Sequence, residues 1–288
     1  MPHETFEAKT KCAILYWTED KNNTEIKIAN LEQNKTTQKL YSQEITTLNY
    51  QNKDLVLIPS YYSNNKQTDN QNYWTLTFQQ LIDKDIIEVN KNGNLPSGDE
   101  IGSRNYLLDG TVPFIRTSDI SNLELKNTSQ HYTNQEIYER YKNKQNIQSN
   151  DILFVKDGRA GEVAVIMPSE EKIVLCSGFY KIRIKPNNYG IDTWNLVFAL
   201  YNCRVKEQIS NLLFRSTIPH LSNRIREVLL TFPKSFEVLQ KNSELIKTFL
   251  STKFKLKKNF QLVRNDACSM IVVEKGFCSL HSKKLWAS

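Results

Sequence analysis

The chain has 288 residues, with 38 Lys and Arg against 31 Asp and Glu, a formal net charge of +7 and a pI near 9.0. This balance favours an anionic partner, of which nucleic acid is the commonest. No apolar run approaches the roughly 20 residues that span a bilayer, and the first residues lack the basic start and apolar core of a signal peptide. We therefore expect a cytoplasmic protein without membrane contact.

Residues 1–63 are predicted to form a small β-rich segment. The apolar runs at 12–17 and 25–29 flank a polar connection and predict a hairpin, and residues 55–58 predict a third strand. The stretch 63–72 is poor in apolar side chains, which is typical of a linker. We place a domain boundary there.

Two short β-type runs dominate the middle of the chain, and each ends in polar, turn-forming residues. The run 113–115 is followed by Arg116, Thr117 and Ser118, and Pro113 fits the start or the edge of a strand because it has no N–H for the ladder. The run 152–155 is followed by Lys156 and a turn at 157–158. Between the two runs, Thr133 and Glu136 predict a capping box that begins a short helix ending at Lys144.

The last third of the chain alternates helix and strand signals. Residues 180–184 alternate polar and apolar side chains, which predicts a half-buried strand. Asp192 is the expected N-cap of the next helix, and residues 228–232 predict the last strand. From 235 to 260 a helical stripe follows, formed by Leu239, Ile246, Phe249 and Leu250. Residues 265–288 have no clear periodicity, and we expect them to be poorly ordered.

Three motifs then carry a family resemblance: GTVPFIRTSDI at 110–120, DILFVKDGRAG at 151–161 and TIPHLS at 217–222. They resemble the target recognition domain of type I restriction-modification specificity subunits, which also occurs at the C-terminus of some adenine-N6 DNA methyltransferases. The similarity covers roughly residues 74–250. One departure is Asn150, where the family often has glycine, although asparagine tolerates the same left-handed backbone.

The resemblance implies an α+β fold. A mixed-sheet target recognition domain would occupy residues 74–234 and a long partner-binding helix 235–260, after the β-rich segment at 1–63 and before the tail at 265–288. The opening through Tyr16 resembles the last strands of an adenine-N6 methyltransferase catalytic domain, so 1–63 is either a remnant of one or a small hairpin extension.

Adenine methylation is not expected from this chain alone. It needs a glycine-rich loop for the methyl donor and an Asn/Asp-Pro-Pro-aromatic motif for the flipped base, and the sequence contains neither. We therefore expect no catalytic residues, no metal and no cofactor. The methyl donor site would lie on a methyltransferase catalytic subunit or domain as partner.

A different class of function is a Mg²⁺-dependent nuclease, because Asp157, Glu170 and Lys172 have the Asp…Glu-x-Lys spacing of such sites. Both carboxylates fall in predicted turns, so this alternative is the weaker one. A protein-binding adaptor is the second alternative.

Sequence-specific DNA binding suits the remaining polar residues best. Major-groove recognition uses Arg for guanine, Asn or Gln for adenine, and small hydroxyls for either. The loops supply such residues at Arg104, Asn105, Arg116, Thr117, Ser118, Lys156, Arg159, Arg215, Ser216, His220, Asn223 and Arg224. The expected partners are double-stranded DNA, the methyltransferase component and a second copy of the chain. The DNA target sequence does not follow from the amino-acid sequence, because no residue-to-base code applies to such loops. The chain is either a half-length subunit that pairs with itself or the C-terminal part of a fused methyltransferase.

Overall fold

The computed structural model of the chain describes residues 25–33, 40–49, 72–126, 131–213 and 220–274. In the N-terminal segment, strands β1 (Glu25–Gln33) and β2 (Leu40–Asn49) form an antiparallel hairpin with Ile28 opposite Thr46. Residues 25–29 are therefore a strand as predicted, but their partner follows them in the chain. The runs 12–17 and 55–58 and nearly all of the predicted linker lie outside the described residues.

The other elements begin at residue 73. The strands are β3 (Tyr73–Thr77), β4 (Val112–Ile115), β5 (Ile120–Ser121), β6 (Glu124–Leu125), β7 (Tyr132–Thr133), β8 (Ile152–Val155), β9 (Val163–Val165), β10 (Val174–Leu175), β11 (Phe179–Ile182) and β12 (Leu229–Pro233). The helices are α1 (Phe78–Asp83), α2 (Gln135–Gln145), α3 (Thr193–Leu200), α4 (Cys203–Leu212) and α5 (Phe236–Glu274), with short 3-10 turns at Ser103–Asn105, Thr117–Asp119 and Ser222–Glu227.

Two three-stranded sheets hold the two central motifs. In the first, β4 lies between β10, which is parallel to it, and the antiparallel β7. In the second, β8 lies between β11 and β9, both antiparallel. Strands β3 and β12 pair antiparallel, as do β5 and β6. Mixed sheets beside separate helices confirm the predicted α+β class, and each motif supplies the middle strand of its sheet.

Local signals explain the start of most helices. Asp192 accepts from the amide of Asn195 and caps α3, as predicted. The predicted cap of α2 was wrong by one residue: Asn134 Oδ1 accepts from the amide of Ile137 at 2.9 Å. The reason is that Thr133 is already committed to β7, where it is buried opposite Val112.

The end of α2 is held by two cations of the β11 region. Lys181 donates to the carbonyl of Gln145 at 2.9 Å, and Arg183 donates to the carbonyl of Asn146 at 2.6 Å. Arg183 also forms a two-pronged pair with Asp151 at 2.6 and 2.7 Å. Lys181 is only 4% exposed, so the prediction of a half-buried strand with a solvated polar face was wrong here. Burial lowers the pKa of Lys181, whereas the hydrogen bonds that Arg183 donates to the Asp151 carboxylate raise the pKa of Arg183.

Helix α5 packs against the main core. Leu239 and Leu250 are 2% and 3% exposed, and Ile246 packs beside them in a cluster that includes Phe154 and Trp194. The prediction that these three residues bind a partner was therefore wrong, because the core of the chain's own folded domain covers them. Phe249 differs, since 54% of it is exposed.

Three lysines of α5 donate hydrogen bonds to groups of the domain. Of the six lysines between 241 and 258, Lys253 donates to the carbonyl of Asn122 at 2.8 Å and pairs with Glu124. Lys257 contacts the carbonyl of Leu125, and Lys258 contacts Ser169. The helix also continues to Glu274, so the first ten residues of the predicted tail are helical, and 275–288 lie outside the described residues. In the described part of the chain, no helix is long and apolar enough to cross a membrane.

Candidate nucleic-acid interface

The polar ends of the two central motifs meet beside Gly178. A Cβ atom at Gly178 would lie 2.7 Å from Cγ2 of Thr117 and 3.8 Å from Cβ of Asp157, so any larger residue would force Thr117 to shift. The amide of Lys156 donates to the carbonyl of Gly178 at 2.9 Å. The loops after β4 and β8 and the β10–β11 connection therefore form one surface, which we call the loop cluster.

The first part of the loop cluster is the turn Thr117–Asp119, which places Arg116 and Ser118. The Asp119 carboxylate accepts from the amide of Arg116 at 2.9 Å, and the Asp119 amide donates to the carbonyl of Arg116 at 2.8 Å. Arg116 itself is exposed, and Thr117 and Ser118 are partly exposed. This arrangement holds the backbone while it leaves the guanidinium and the hydroxyl groups accessible.

Arg159 is used inside the loop cluster. Its Nη2 donates to the carbonyls of Thr117 at 2.7 Å and Ile120 at 2.9 Å, and its Nη1 pairs with Glu162 at 3.1 Å. The sequence predicted that Arg159 contacts DNA, whereas in the structure its hydrogen bonds connect the two motifs. About half of the side chain, 47%, is nevertheless exposed.

Lys156 lies over an aromatic ring that the sequence analysis did not select. Its Nζ is 4.8 Å from the ring centre of Tyr180, a cation–π geometry. Burial and then the charge of Asp157 raise the pKa of Tyr180, while Arg226 acts in the opposite direction. Tyr180 was missed because its period-2 pattern indicated only a strand residue.

His220, from the later TIPHLS motif, is also part of the loop cluster. Its Nδ1 contacts the carboxylate of Asp157, and the two residues form a β-bridge. The residues that precede His220, including Arg215 and Ser216, lie outside the described residues. Asn223 is exposed, whereas Arg224 donates to the carbonyl of Leu212 at 3.1 Å and is largely a structural residue.

The turn Ser103–Asn105 provides the last two predicted residues. Arg104 is exposed, but the side-chain amide of Asn105 donates to the carbonyl of Ile101 and is therefore occupied. Next to them, Tyr106 stacks on Phe114 with a centroid distance of 5.0 Å. Burial and the charge of Glu100 raise the pKa of Tyr106.

Glu100 and Ser177 are further polar residues that sequence reasoning missed. The Ser177 hydroxyl contacts the carboxylate of Glu100, and the Tyr141 hydroxyl donates to the Glu100 carbonyl at 3.4 Å. No local pattern indicated either residue, because Glu100 and Ser177 are 77 residues apart in the sequence and meet only in the folded chain.

The nuclease alternative receives no support from this geometry. Asp157 contacts His220, whereas Glu170 pairs with Lys257 of α5 at 3.2 Å and accepts from the amide of Met167 at 3.0 Å. Among the described residues, no group of three or more His, Cys, Asp and Glu side chains could hold a metal ion.

Comparison with known proteins identifies the family. The model of the type I restriction modification DNA specificity domain matches residues 78–262, which is more than half of the chain. The chain belongs to this family. No curated protein matches it.

Three solved structures are similar, at low identity. The S subunit of a type I restriction-modification system from M. genitalium is 16% identical, with 72% of this chain and 47% of that chain covered and a TM-score of 0.41. The HsdS subunit from Thermoanaerobacter tengcongensis is 11% identical, with coverages of 69% and 44% and a TM-score of 0.39. A chain from a study of complex assembly and conformational transition of the type I R-M system is 12% identical, with coverages of 72% and 45% and a TM-score of 0.41. This chain therefore spans less than half of the length of these relatives.

Proposed function

We propose that this chain binds double-stranded DNA sequence-specifically, as the specificity component of a type I restriction-modification system, and that it is not catalytic by itself. The observation that carries the proposal is the meeting of both central motifs and His220 around Gly178. Family membership and the net charge of +7 support it independently.

The loop cluster suits base recognition because its exposed groups are of several chemical kinds. Arg116 offers a planar fork for guanine, and Thr117 and Ser118 offer hydroxyls. Asn223 offers an amide that suits adenine. Lys156 offers a positive charge for a phosphate, which positions the protein but carries no sequence information.

The partner surface is proposed on the outer face of α5. Leu245, Phe249, Leu256 and Phe260 are each between 54% and 64% exposed, and they recur after four, seven and four residues. This spacing puts them on one stripe of the helix, which we call the outer stripe. Burial of each side chain would contribute about 1.5–3 kcal/mol, so we infer that a helix of a second subunit, the methyltransferase component or another copy of this chain, covers them.

The test is selection of bound sequences from a random duplex pool by the full chain, alone and with a methyltransferase subunit, with and without Mg²⁺. Enrichment of one defined sequence without cleavage supports the proposal. The matched variants are Arg116→Ala in the loop cluster and Lys241→Ala, an exposed lysine of α5. Only the first should weaken the enrichment. Cleavage with Mg²⁺ would instead indicate a nuclease, and no retention of any duplex would indicate a protein-binding adaptor.

A further inference from the structure

A short segment that ends at Glu100 lies along the β10–β11 connection of the loop cluster. The amide of Asp99 donates to the carbonyl of Leu175 at 3.0 Å. A Cβ atom at Gly98 would overlap with the carbonyl oxygen of Cys176, which is a backbone atom and cannot turn away. Glycine at this position therefore allows the close approach that places Glu100 in the loop cluster.

The Glu100 side chain is exposed, and two hydroxyl groups hold it. The hydroxyl of Ser177, the residue before Gly178, contacts Oε1, and the Tyr106 hydroxyl donates to Oε2 at 3.3 Å. The Tyr141 hydroxyl donates to the Glu100 carbonyl at 3.4 Å, so the backbone is held as well. An ionised carboxylate has about four acceptor positions, so about two remain for a donor from outside the chain.

Glu100 and Arg116 place opposite charges around Tyr106. Burial raises the pKa of Tyr106 most, Glu100 raises it further, and the charge of Arg116 lowers it. Among the described residues, neither Glu100 nor Arg116 is part of an ion pair. The loop cluster therefore presents a guanidinium that can only donate beside a carboxylate that can only accept.

Duplex DNA offers such a carboxylate few favourable contacts. The phosphates repel it as a like charge, and guanine and thymine present acceptors in the major groove. Adenine presents its amine next to the N7 acceptor, whereas cytosine presents an amine donor with no acceptor beside it. An acceptor-only side chain at a base edge therefore favours cytosine.

We propose that Glu100 determines specificity by accepting a hydrogen bond from the exocyclic amine of a cytosine in the DNA target. This role rests on the proposed function and extends base recognition to a residue outside the central motifs. Ser177 and Tyr106 position the carboxylate, and Arg116 offers the matching donors for a guanine. The same carboxylate disfavours other sequences, because its charge then meets acceptor groups.

The experiment compares the full chain with Glu100→Gln and Glu100→Ala. The wild type selects a preferred sequence from a random duplex pool, and each protein is then titrated with that duplex and with every single-base-pair change of it. Glu100→Ala should reduce discrimination at one cytosine about 10-fold or more and leave the other positions nearly unchanged. Glu100→Gln should change the preferred base there to adenine, because a carboxamide both donates and accepts. Both variants should bind scrambled duplexes more tightly, since a like charge is removed.

Two controls separate base recognition from charge and from support of the loop. Glu237→Gln removes the same charge from an exposed position of α5 and should change affinity and base preference less than about 2-fold. Ser177→Ala with Tyr106→Phe removes the two hydroxyls but keeps the carboxylate, so cytosine should stay the preferred base. If this pair changes the preferred base as the Glu100 variants do, the carboxylate only supports the loop, and the proposal is overturned. Thermal unfolding checks that each variant folds.

The remaining outcomes are distinguishable from failure of the proposed function. A uniform loss on all duplexes with unchanged preference, or a changed preference at a base other than cytosine, would overturn the role of Glu100. The same holds if the wild type and both Glu100 variants enrich the same sequence with equal discrimination. If the wild type enriches no sequence at all, the proposed function is wrong, and the role of Glu100 is wrong with it.

Discussion

Arg159 connects the loop after β8 to the turn after β4 through two backbone carbonyls. We predict that Arg159→Ala lowers the affinity for the cognate duplex and reduces discrimination against scrambled duplexes, because the turn that carries Arg116 loses its support. Hydrogen bonds from a charged group to these carbonyls suggest a stability loss of about 1–2 kcal/mol, reduced by partial exposure. Binding titrations and chemical denaturation of the same variant measure both effects.

The control for Arg159 is lysine, which keeps the charge but cannot form the two-pronged contact. Arg159→Lys should lose discrimination nearly as much as Arg159→Ala does. If Arg159→Lys binds DNA like the wild type, the residue acts through its charge on a phosphate, and the positioning role is wrong.

Arg116 and Lys156 should separate base recognition from phosphate contact. Arg116→Ala should cost about 1–3 kcal/mol on the cognate site and much less elsewhere. Lys156→Ala should weaken all duplexes alike and reduce the salt slope by about one, since Lys156 is partly exposed and its ammonium lies over the Tyr180 ring without a carboxylate partner in the described salt bridges. Titrations against cognate and scrambled duplexes at two salt concentrations measure this. Equal losses on both duplexes for Arg116→Ala would exclude it from base recognition.

At the residue scale, sequence patterns predicted backbone behaviour better than side-chain roles. Asn150 has φ 69°, which is the left-handed conformation expected where relatives often have glycine. Arg116 and Arg159 look alike in the sequence, because each follows a short apolar strand. Only tertiary contacts show that Arg159 is bound to two carbonyls of the other motif, and no local rule could supply that information.

At the element scale, α5 has two apolar faces, and the predicted partner stripe combined three residues of the buried face with Phe249 of the exposed one. Leu239, Ile246 and Leu250 recur at helical spacing, but so does the outer stripe. Periodicity identifies a stripe without identifying what covers it. The choice depends on α3, whose Asn195 donates to the carbonyl of Leu239 at 2.7 Å and fixes the rotation of α5.

This arrangement makes opposite predictions for the two faces of α5. Ile246→Asp with Leu250→Asp should unfold the domain, because carboxylates would enter a dry core where even truncation of a leucine costs about 2–5 kcal/mol. Leu256→Asp with Phe260→Asp should keep the melting temperature within a few degrees and reduce association with the partner. Thermal unfolding and light scattering of both pairs, with and without the methyltransferase subunit, test this. Association that survives in the outer pair would show that the outer stripe is not the partner surface.

At the scale of the whole molecule, the charge distribution limits which cations can reach DNA. The chain has a net charge of +7, but Lys253, Lys257 and Lys258 are tied to carbonyl, carboxylate or hydroxyl groups of the recognition domain. Lys181 and Arg183 likewise donate to carbonyls at the end of α2. The DNA-facing charge should therefore come chiefly from the loop cluster and its surroundings.

The affinity for duplex DNA should then fall steeply with salt, with a log–log slope of about −0.9 for each phosphate contact. If DNA binds at the loop cluster, Lys241→Ala with Lys247→Ala, which removes two exposed lysines of α5, should leave that slope nearly unchanged. Removal of Lys156, which is partly exposed in the loop cluster, together with Arg104, which is exposed in the turn Ser103–Asn105, should flatten the slope by about two. Binding isotherms of the wild type and both pairs over a series of salt concentrations measure the slopes. The opposite order, with the α5 pair flattening the slope, would place the phosphate-binding surface on α5, and an affinity that hardly responds to salt would favour the protein-binding adaptor.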